Sequence, residues 1–447
     1  MKLTLLGGGG FRVPIVYGAL LARGRRLGLD EMTLYDVDDA RLGLIAGVLE
    51  GLALERGERL PFHATTDLDD ALEGADFVFC AIRVGQLEGR VVDERVPLDE
   101  GVVGQETTGP GGICFALRTV PVMRRLAEAV AARAPRAWFV NFTNPAGLVT
   151  EAIQEVLGGR AVGICDSPTA LCRRVASALE RPPDDLWFEY FGLNHLGWVR
   201  AVHDGERDLL PELLADDERL ATFEEGRLFG GEWLRSLGMI PNEYLYFYYF
   251  ASDTVRALSS GVESRAEFLL RQQGRFYSAN GPEPEAALAA WRSTRQEREE
   301  SYFAEVRAAA GLGNEQHEPD EVGGYEAEAL AVLEAITLNE RRVLILDTAN
   351  RSSLPFLDAK AVVEVPCVVG RAGVVPTAVG DVPGDARALV ETMKEIERTT
   401  ITAALTGSRE LAVKALALHP LVPSVNAARR IFDAYAKRHP ELAGQFA

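Results

Sequence analysis

The chain begins with an apolar run of strand character, Met1-Lys-Leu-Thr-Leu-Leu6, and passes straight into four glycines, Gly7, Gly8, Gly9 and Gly10. A helical pattern follows, with Pro14 in its first turn, where a missing N–H is harmless. Glycine has no side chain to hold the backbone away from an anion, and a helix N-terminus presents unpaired N–H groups to it. A second short run, Met32-Thr-Leu-Tyr35, ends at Asp36, twenty-six residues beyond Gly10. An acid on the tip of the second strand can accept both hydroxyls of an adenosine ribose. Strand, glycine turn, helix, strand and acid together predict a dinucleotide site, and Asp rather than Arg at 36 selects NAD over NADP. Counting G-x-G-x-x-G from Gly7 or Gly8 meets Arg12 or Val13 at the third glycine, so a plain glycine turn is the competing reading.

A dinucleotide unit accounts for only part of 447 residues, and with 47% hydrophobic content two well-cored domains are expected. The formal net charge of −19 argues against nucleic acid or an anionic membrane as partner, because both repel an acidic surface. Five scattered cysteines (Cys80, Cys114, Cys165, Cys172, Cys367) form no paired framework and fit a reducing compartment. The N-terminus carries one Lys and enters a strand at once, unlike a secretory leader, and no apolar stretch approaches 18 residues. A cytoplasmic protein is expected.

In the first half, short β-branched or aromatic runs at 2–6, 32–36, 76–82, 137–141 and 161–165 alternate with helical patterns at 13–28, 39–55, 68–73 and 119–134. That alternation predicts an α/β fold with a Rossmann-like doubly wound parallel sheet over residues 1–190. Beyond 190 long helical segments dominate, with strands near 188–204, 343–347 and 361–369, so residues 191–447 are expected to form a mostly helical α+β domain covering the carboxyl edge of the sheet. The stretch 278–320, rich in charge, Gly and Pro, reads as solvent-facing or mobile.

Polar clusters fall where that carboxyl edge belongs. Arg83 to Arg90 follow the third of these parallel strands in the sequence, Gly104-Gln-Glu-Thr-Thr-Gly-Pro-Gly-Gly112 comes next, and Asn141-Phe-Thr-Asn144-Pro145 follows the strand at 137–141. Each alone reads as a turn. Cys165-Asp166-Ser-Pro168 ends the last strand, and Gly192-Leu-Asn194-His195 lies thirty residues on. A cysteine at a strand end is usually a small buried hydrophobe and a single histidine a satisfied polar group. Together they could give a divalent ion one sulfur and one nitrogen ligand, with positions open for substrate oxygens.

The glycine turn, the 104–112 loop, Asn141-Phe-Thr-Asn-Pro-Ala-Gly147, Cys165-Asp-Ser-Pro168, Gly192-Leu-Asn-His195, Pro241-Asn-Glu-Tyr-Leu245, Val363-Glu-Val-Pro366 and the Ala415–Leu421 stretch resemble, in order and in register, glycoside hydrolase family 4. The nearest branch is the 6-phospho-β-glucosidases, and the resemblance spans nearly the whole chain. It implies a lactate/malate dehydrogenase-like fold, NAD and Mn²⁺ or another divalent metal as cofactors, a phosphorylated glycoside as substrate, and a homodimer or homotetramer. The implied chemistry is oxidation at C3, loss of the now acidic C2 proton with elimination at C1, addition of water, and return of the hydride, so that net hydrolysis results.

By that resemblance Cys165 and His195 ligate the metal, Tyr244 is the C2 base and Asp166 a general acid. Asn144, Asn194 and Arg265 are expected at the substrate with Arg90. Arg83 and Arg90 are both suited to phosphate oxygens. The cofactor is expected against the glycines, Phe11, Arg12, Asp36, Arg83 and Asn141. Tyr244 also belongs to an aromatic run, Tyr244 to Phe250, which offers a purely structural explanation. The chain departs from the family at three places. Phe11-Arg12-Val13-Pro14 replaces a Ser-x-Tyr-Thr-Pro segment. Asp166 stands where β-acting members carry Asn, and is more typical of 6-phospho-α-glucosidases. The acid that supports the tyrosine base has only Glu263 as a candidate. An NAD-dependent 2-hydroxy-acid dehydrogenase and an NAD-sensing binding protein are the rival readings of the same fold.

Overall fold

The computed structural model describes residues 1–260, 263–279, 281–301, 304–312 and 324–446. Its first half alternates as the sequence pattern requires: β1 (Lys2–Leu6), α1 (Val13–Leu27), β2 (Glu31–Tyr35), α2 (Asp39–Arg56), β3 (Phe62–Thr65), α3 (Leu68–Leu72), β4 (Phe77–Cys80), α4 (Gln86–Asp99), α5 (Gly109–Arg133), β5 (Trp138–Asn141), α6 (Ala146–Leu157), β6 (Ala161–Gly163) and α7 (Ser167–Ala178). These six strands are parallel and lie in the order β3-β2-β1-β4-β5-β6, the doubly wound arrangement expected. Strands buried on both faces read as continuous apolar runs, and β4, Phe77-Val-Phe-Cys80, is one. Its side chains alternate, Phe77 and Phe79 entering the core on one face and Val78 and Cys80 that on the other.

Beyond residue 180 come β7 (Trp187–Leu193), β8 (Leu196–Asp204), β9 (Arg207–Asp208) and β10 (Ile240–Pro241), which form a second, four-stranded sheet. Then β11 (Arg342–Ala349), β12 (Val362–Gly370) and β13 (Gly373–Pro376) return to the first sheet and extend it antiparallel beyond β6, to nine strands. Helices 384–406, 409–418 and 425–438 pack with α5 and α6 over one face of that sheet.

Several local expectations shift. The glycine-rich 104–112 stretch supplies the first turn of α5, which starts ten residues before the expected 119. Gly111 and Gly112 are needed there because a Cβ would lie 2.0 Å from the Gln105 carbonyl oxygen and 2.4 Å from that of Thr107. The charged sequence of α4 hid its helix, and 210–238 is four short helices rather than one. Within 278–320, residues 284–300 form a helix that buries Ala287, Leu288 and Trp291; 280, 302–303 and 313–320 lie outside the described residues. No described helix is long and apolar enough to cross a membrane.

Candidate active site

Strand order reverses between β1 and β4, and the crevice at such a point is where open α/β sheets bind ligands. A cavity of about 530 Å³ opens there, with walls that include the ends of β1 and β4, the loop after β6, the β7–β8 turn and two later helices. Gly7, Gly10, Phe11, Arg12, Asp36, Arg83, Arg90, Asn144, Cys165, Asp166, His195, Tyr244 and Arg265 all line it. Residues as far apart in the sequence as Gly7 and Arg265 thus share one chamber.

The glycine turn is pinned from behind. Gly7 and Gly8 both donate to the Tyr35 carbonyl (2.9 and 2.7 Å), and Gly10 donates to that of Gly7 (2.9 Å). Gly7 adopts φ 92°, where a side chain is strained, and a Cβ on Gly8 would sit 2.7 Å from the Cβ of Leu34. Gly8 and Gly9 therefore pack against β2 and α2, while Gly7 and Gly10 face the cavity. The Asp36 carboxylate accepts from Gly9 N–H (3.0 Å), which fixes it at the strand tip. Phe11 packs its ring on Phe276 and Trp291, centroids 5.5 and 6.1 Å away, and its carbonyl accepts from the Trp291 indole. Its departure from the family segment is thus matched by aromatic partners on the later helices. Asn141 is fully buried behind the wall: its amide donates to the carbonyls of Thr143 and Ala146 and to the Thr150 hydroxyl, and its oxygen accepts from Thr143 N–H. It shapes the loop that presents Asn144.

Asn144 Oδ1 is buried and has no hydrogen-bond partner among the described residues. An acceptor left open costs free energy unless a ligand fills it. His195 sits at the tip of the β7–β8 hairpin with φ 61°, a conformation that costs on the order of 1 kcal/mol or more and persists where the surroundings demand it. The Thr107 hydroxyl donates to Gln105 Oε1 (3.0 Å) and so accepts from His195 Nδ1 (3.0 Å). This sets the tautomer, leaving the lone pair on Nε2. Burial holds the imidazole pKa down to about 3, so the ring is neutral, as a metal ligand must be. Burial raises the Cys165 thiol, and the charges of Glu364, Asp166 and Asp347 raise it further; a cation at that place would reverse the shift. The Cys165 thiol and the His195 lone pair both line this cavity, a sulfur–nitrogen pair that suits a divalent ion of intermediate softness.

A second wall is cationic. Arg83 pairs with Glu106, and Arg90 with Glu94 and Glu106 at 2.8 Å each. Although burial works against it, Arg83 and Arg90 hold the Glu106 carboxyl down to about 2. Arg265 donates to the Arg298 carbonyl (3.0 Å). Arg298, on helix 284–300, also lines the cavity, and burial together with Arg12, Arg265 and Arg90 depresses its pKa. That crowding is a field awaiting an anion. The sequence reading missed Arg298 because its segment was assigned to solvent.

Asn194 stands one layer back, its Oδ1 accepting from Ala146 N–H (3.1 Å). Glu263 is exposed and paired with Arg271. Glu243, next to Tyr244, is the buried acid instead; it accepts from the Ser167 hydroxyl (2.7 Å), and burial lifts it to about 7. Its neighbour in the motif, Asn242, caps the turn that carries Tyr244 (3.2 Å to its N–H). A cluster of Asp93, Cys114 and His439 has metal-ligand spacing elsewhere in the fold, but the Arg118 guanidinium fills it, 2.7 and 2.8 Å from the Asp93 oxygens.

The profile of the "Family 4 glycosyl hydrolase" family matches residues 2–181, and that of its C-terminal domain residues 190–422. A probable 6-phospho-β-glucosidase of Bacillus subtilis is 31% identical, covering 100% of this chain and 98% of its own. A maltose-6'-phosphate glucosidase of the same organism is 30% identical over 97% of this chain and 94% of its own. Among solved structures, the 6-phospho-β-glucosidase of Thermotoga maritima with manganese, NAD⁺ and glucose-6-phosphate superposes with a TM-score of 0.82 at 26% identity, covering 98% of each chain.

Proposed function

The chain belongs to family 4 of the glycosyl hydrolases, and on that footing we propose that it hydrolyses 6-phospho-β-glucosides, such as cellobiose 6-phosphate, to glucose 6-phosphate and an aglycone, with NAD and Mn²⁺ or a similar divalent ion as cofactors. The observation that carries this reading is the meeting of Cys165, His195 and Tyr244 with an arginine cluster in one cavity beside the glycine turn. When bound, NAD accepts a hydride from C3 of the sugar and later returns it, while the ion polarises the C2 and C3 oxygens as a Lewis acid.

The chain's own residues then have these tasks. Gly7, Gly10 and the N-terminus of α1 cradle the pyrophosphate, and Asp36 accepts the ribose hydroxyls. Cys165 and His195 hold the ion, and Asn144 Oδ1 takes a hydrogen bond from a sugar hydroxyl. Arg12, Arg90, Arg265 and Arg298 neutralise the 6-phosphate. Tyr244 removes the proton from C2 through its phenolic oxygen, and Asp166 delivers one to the leaving oxygen. Residues 1–190 carry the cofactor; residues 191–447 bring the base, His195, Arg265 and Arg298. A homodimer or homotetramer in the cytoplasm completes the proposal; five buried free thiols support a reducing compartment.

Asp166 favours a second reading, a 6-phospho-α-glucosidase, and the maltose-6'-phosphate relative is as similar as the β-acting one to within a percentage point. Purified protein with NAD⁺, Mn²⁺ and a reductant is to be offered p-nitrophenyl α- and β-glucosides with and without a 6-phosphate. Release from the β-phosphoglucoside without net NADH is expected. Release from the α-anomer alone would select the second reading, and turnover that survives removal of both cofactors would sink both.

A further inference from the structure

The Val363-Glu-Val-Pro366 stretch has no task in the chemistry above, yet Glu364 lies buried on β12, 1% exposed, behind the cavity wall. We propose that Glu364 is a positioning residue whose carboxylate sets the mutual placement of Asn144, His195 and Tyr244. One of its oxygens accepts from the Tyr190 hydroxyl (2.7 Å), the other from the Asn194 amide (3.2 Å).

Each partner passes the constraint on. Asn194 directly precedes His195, and its Oδ1 holds Ala146 N–H (3.1 Å), two residues after Asn144. The Tyr190 hydroxyl accepts from the Asn242 amide (3.3 Å), and Asn242 Oδ1 holds Tyr244 N–H (3.2 Å). Three loops at 144–146, 194–195 and 242–244 therefore end on one side chain. Room for the junction is made by Gly197, where a Cβ would lie 2.0 Å from the Tyr190 oxygen, and whose carbonyl holds Asn242 N–H (2.9 Å).

Both groups facing Glu364 donate, so only a group with two acceptor atoms fits. A glutamine of the same shape turns an NH₂ toward a donor. Either Tyr190 must then reverse its hydroxyl, or Asn194 must flip and release Ala146. Groups that orient metal ligands from behind typically change metal affinity or activity by roughly 10- to 100-fold when removed.

The inference rests on the proposed glycosidase reading for its kinetic readout and on metal binding alone for the other. NAD-loaded wild type, Glu364→Gln, Tyr190→Phe, Asn194→Ala and the Glu364→Gln/Asn194→Ala pair are titrated with Mn²⁺ by electron paramagnetic resonance and assayed on p-nitrophenyl-β-glucoside 6-phosphate. The expected result for Glu364→Gln is a Mn²⁺ dissociation constant raised and kcat lowered, each by about 10- to 100-fold. KM should change less than kcat, because the phosphate-facing arginines stand on other elements and only the Asn144 contact to the sugar is disturbed, and Tyr190→Phe should follow in the same direction. The pair should be about as impaired as Glu364→Gln alone, since both changes break one chain of contacts. Mn²⁺ affinity and kcat within twofold of wild type in both Glu364→Gln and Tyr190→Phe, or simple multiplication of losses in the pair, overturns the assignment. A wild type that cleaves no phosphoglucoside while its variants still lose Mn²⁺ together leaves the junction standing and removes only the substrate reading.

Discussion

The imidazole of His195 lies flat on the phenol of Tyr244, ring centroids 3.7 Å apart and planes inclined by 9°. The residue proposed to hold the metal and the residue proposed to take the C2 proton therefore fix each other's orientation. Tyr246 is buried in the core, whereas the Tyr244 ring, though packed partly against that core, also faces His195 and the cavity.

This separates two substitutions at one position. Tyr244→Phe keeps the ring and loses only the oxygen, so Mn²⁺ and NAD binding should persist while kcat falls by roughly 10²- to 10⁴-fold, the usual worth of a positioned base. Tyr244→Ala removes the stack as well and should weaken Mn²⁺ binding. Steady-state kinetics with a parallel Mn²⁺ titration checks both, and a Phe variant within fivefold of wild-type kcat rules out the phenol as base.

Burial first, and then the like charges of Arg12, Arg265 and Arg90, hold the Arg298 guanidinium well below its usual pKa. A 6-phosphate relieves that repulsion. Arg298→Ala should raise KM for phosphorylated glucosides by roughly 10- to 100-fold, since hydrogen bonds to charged groups are worth about 1.5–3 kcal/mol. KM for the unphosphorylated glucoside should barely move. Equal effects on both substrates would remove the phosphate from this wall.

How far the sequence reached can be judged from particular residues. The doubly wound half was legible because the apolar runs of β1, β2 and β4 are short and dense, and because β1 ends in a glycine turn required by the positive φ of Gly7 and by close packing on Ala81 and Leu34. Motifs at strand ends and hairpin tips led to most of the residues that line the cavity, whereas Arg90 reaches it from within α4 and Asn141 lies behind its wall. Arg298 was not legible, because an arginine inside a charged helix carries no local sign that its side chain reaches a cavity. Glu243 sits inside the Pro241–Leu245 motif, but its burial against Ser167 and Arg174 is a tertiary contact that the motif does not announce. The three strands that return to extend the sheet were seen as strands, but their antiparallel pairing beside β6 is a tertiary fact that no local pattern encodes.

Asp36 is held by Gly9 N–H at 3.0 Å, so its carboxylate is set before any cofactor arrives. Asp36→Ala removes an ionised acceptor for two ribose hydroxyls and the charge that repels a 2′-phosphate. The NAD dissociation constant should rise about 10-fold or more, and the preference for NAD over NADP should shrink by at least as much. Titration of intrinsic tryptophan fluorescence with each nucleotide measures this; an unchanged preference would move the ribose away from β2.

His419 supplies a pH test independent of catalysis. It is 2% exposed, its Nδ1 accepts from Leu421 N–H (3.2 Å), and its Nε2 finds no partner among the described residues. Burial pushes its pKa down to about 3, against about 6.5 for a free imidazole. As pH falls below 6.5 the unfolded chain takes up this proton first, while the folded chain resists until about 3. The stability conferred by the neutral ring is therefore complete above 6.5 and drains away toward 3, by about 1.4 kcal/mol per pH unit within that window. His419→Gln lacks the titration, so the slope of unfolding free energy against pH between 6 and 4 should flatten by about one proton relative to wild type, whatever the substitution does to stability at pH 7. Urea denaturation of metal-free protein at pH 6, 5 and 4 gives both slopes, and parallel lines would mean that the imidazole is already charged in the folded chain.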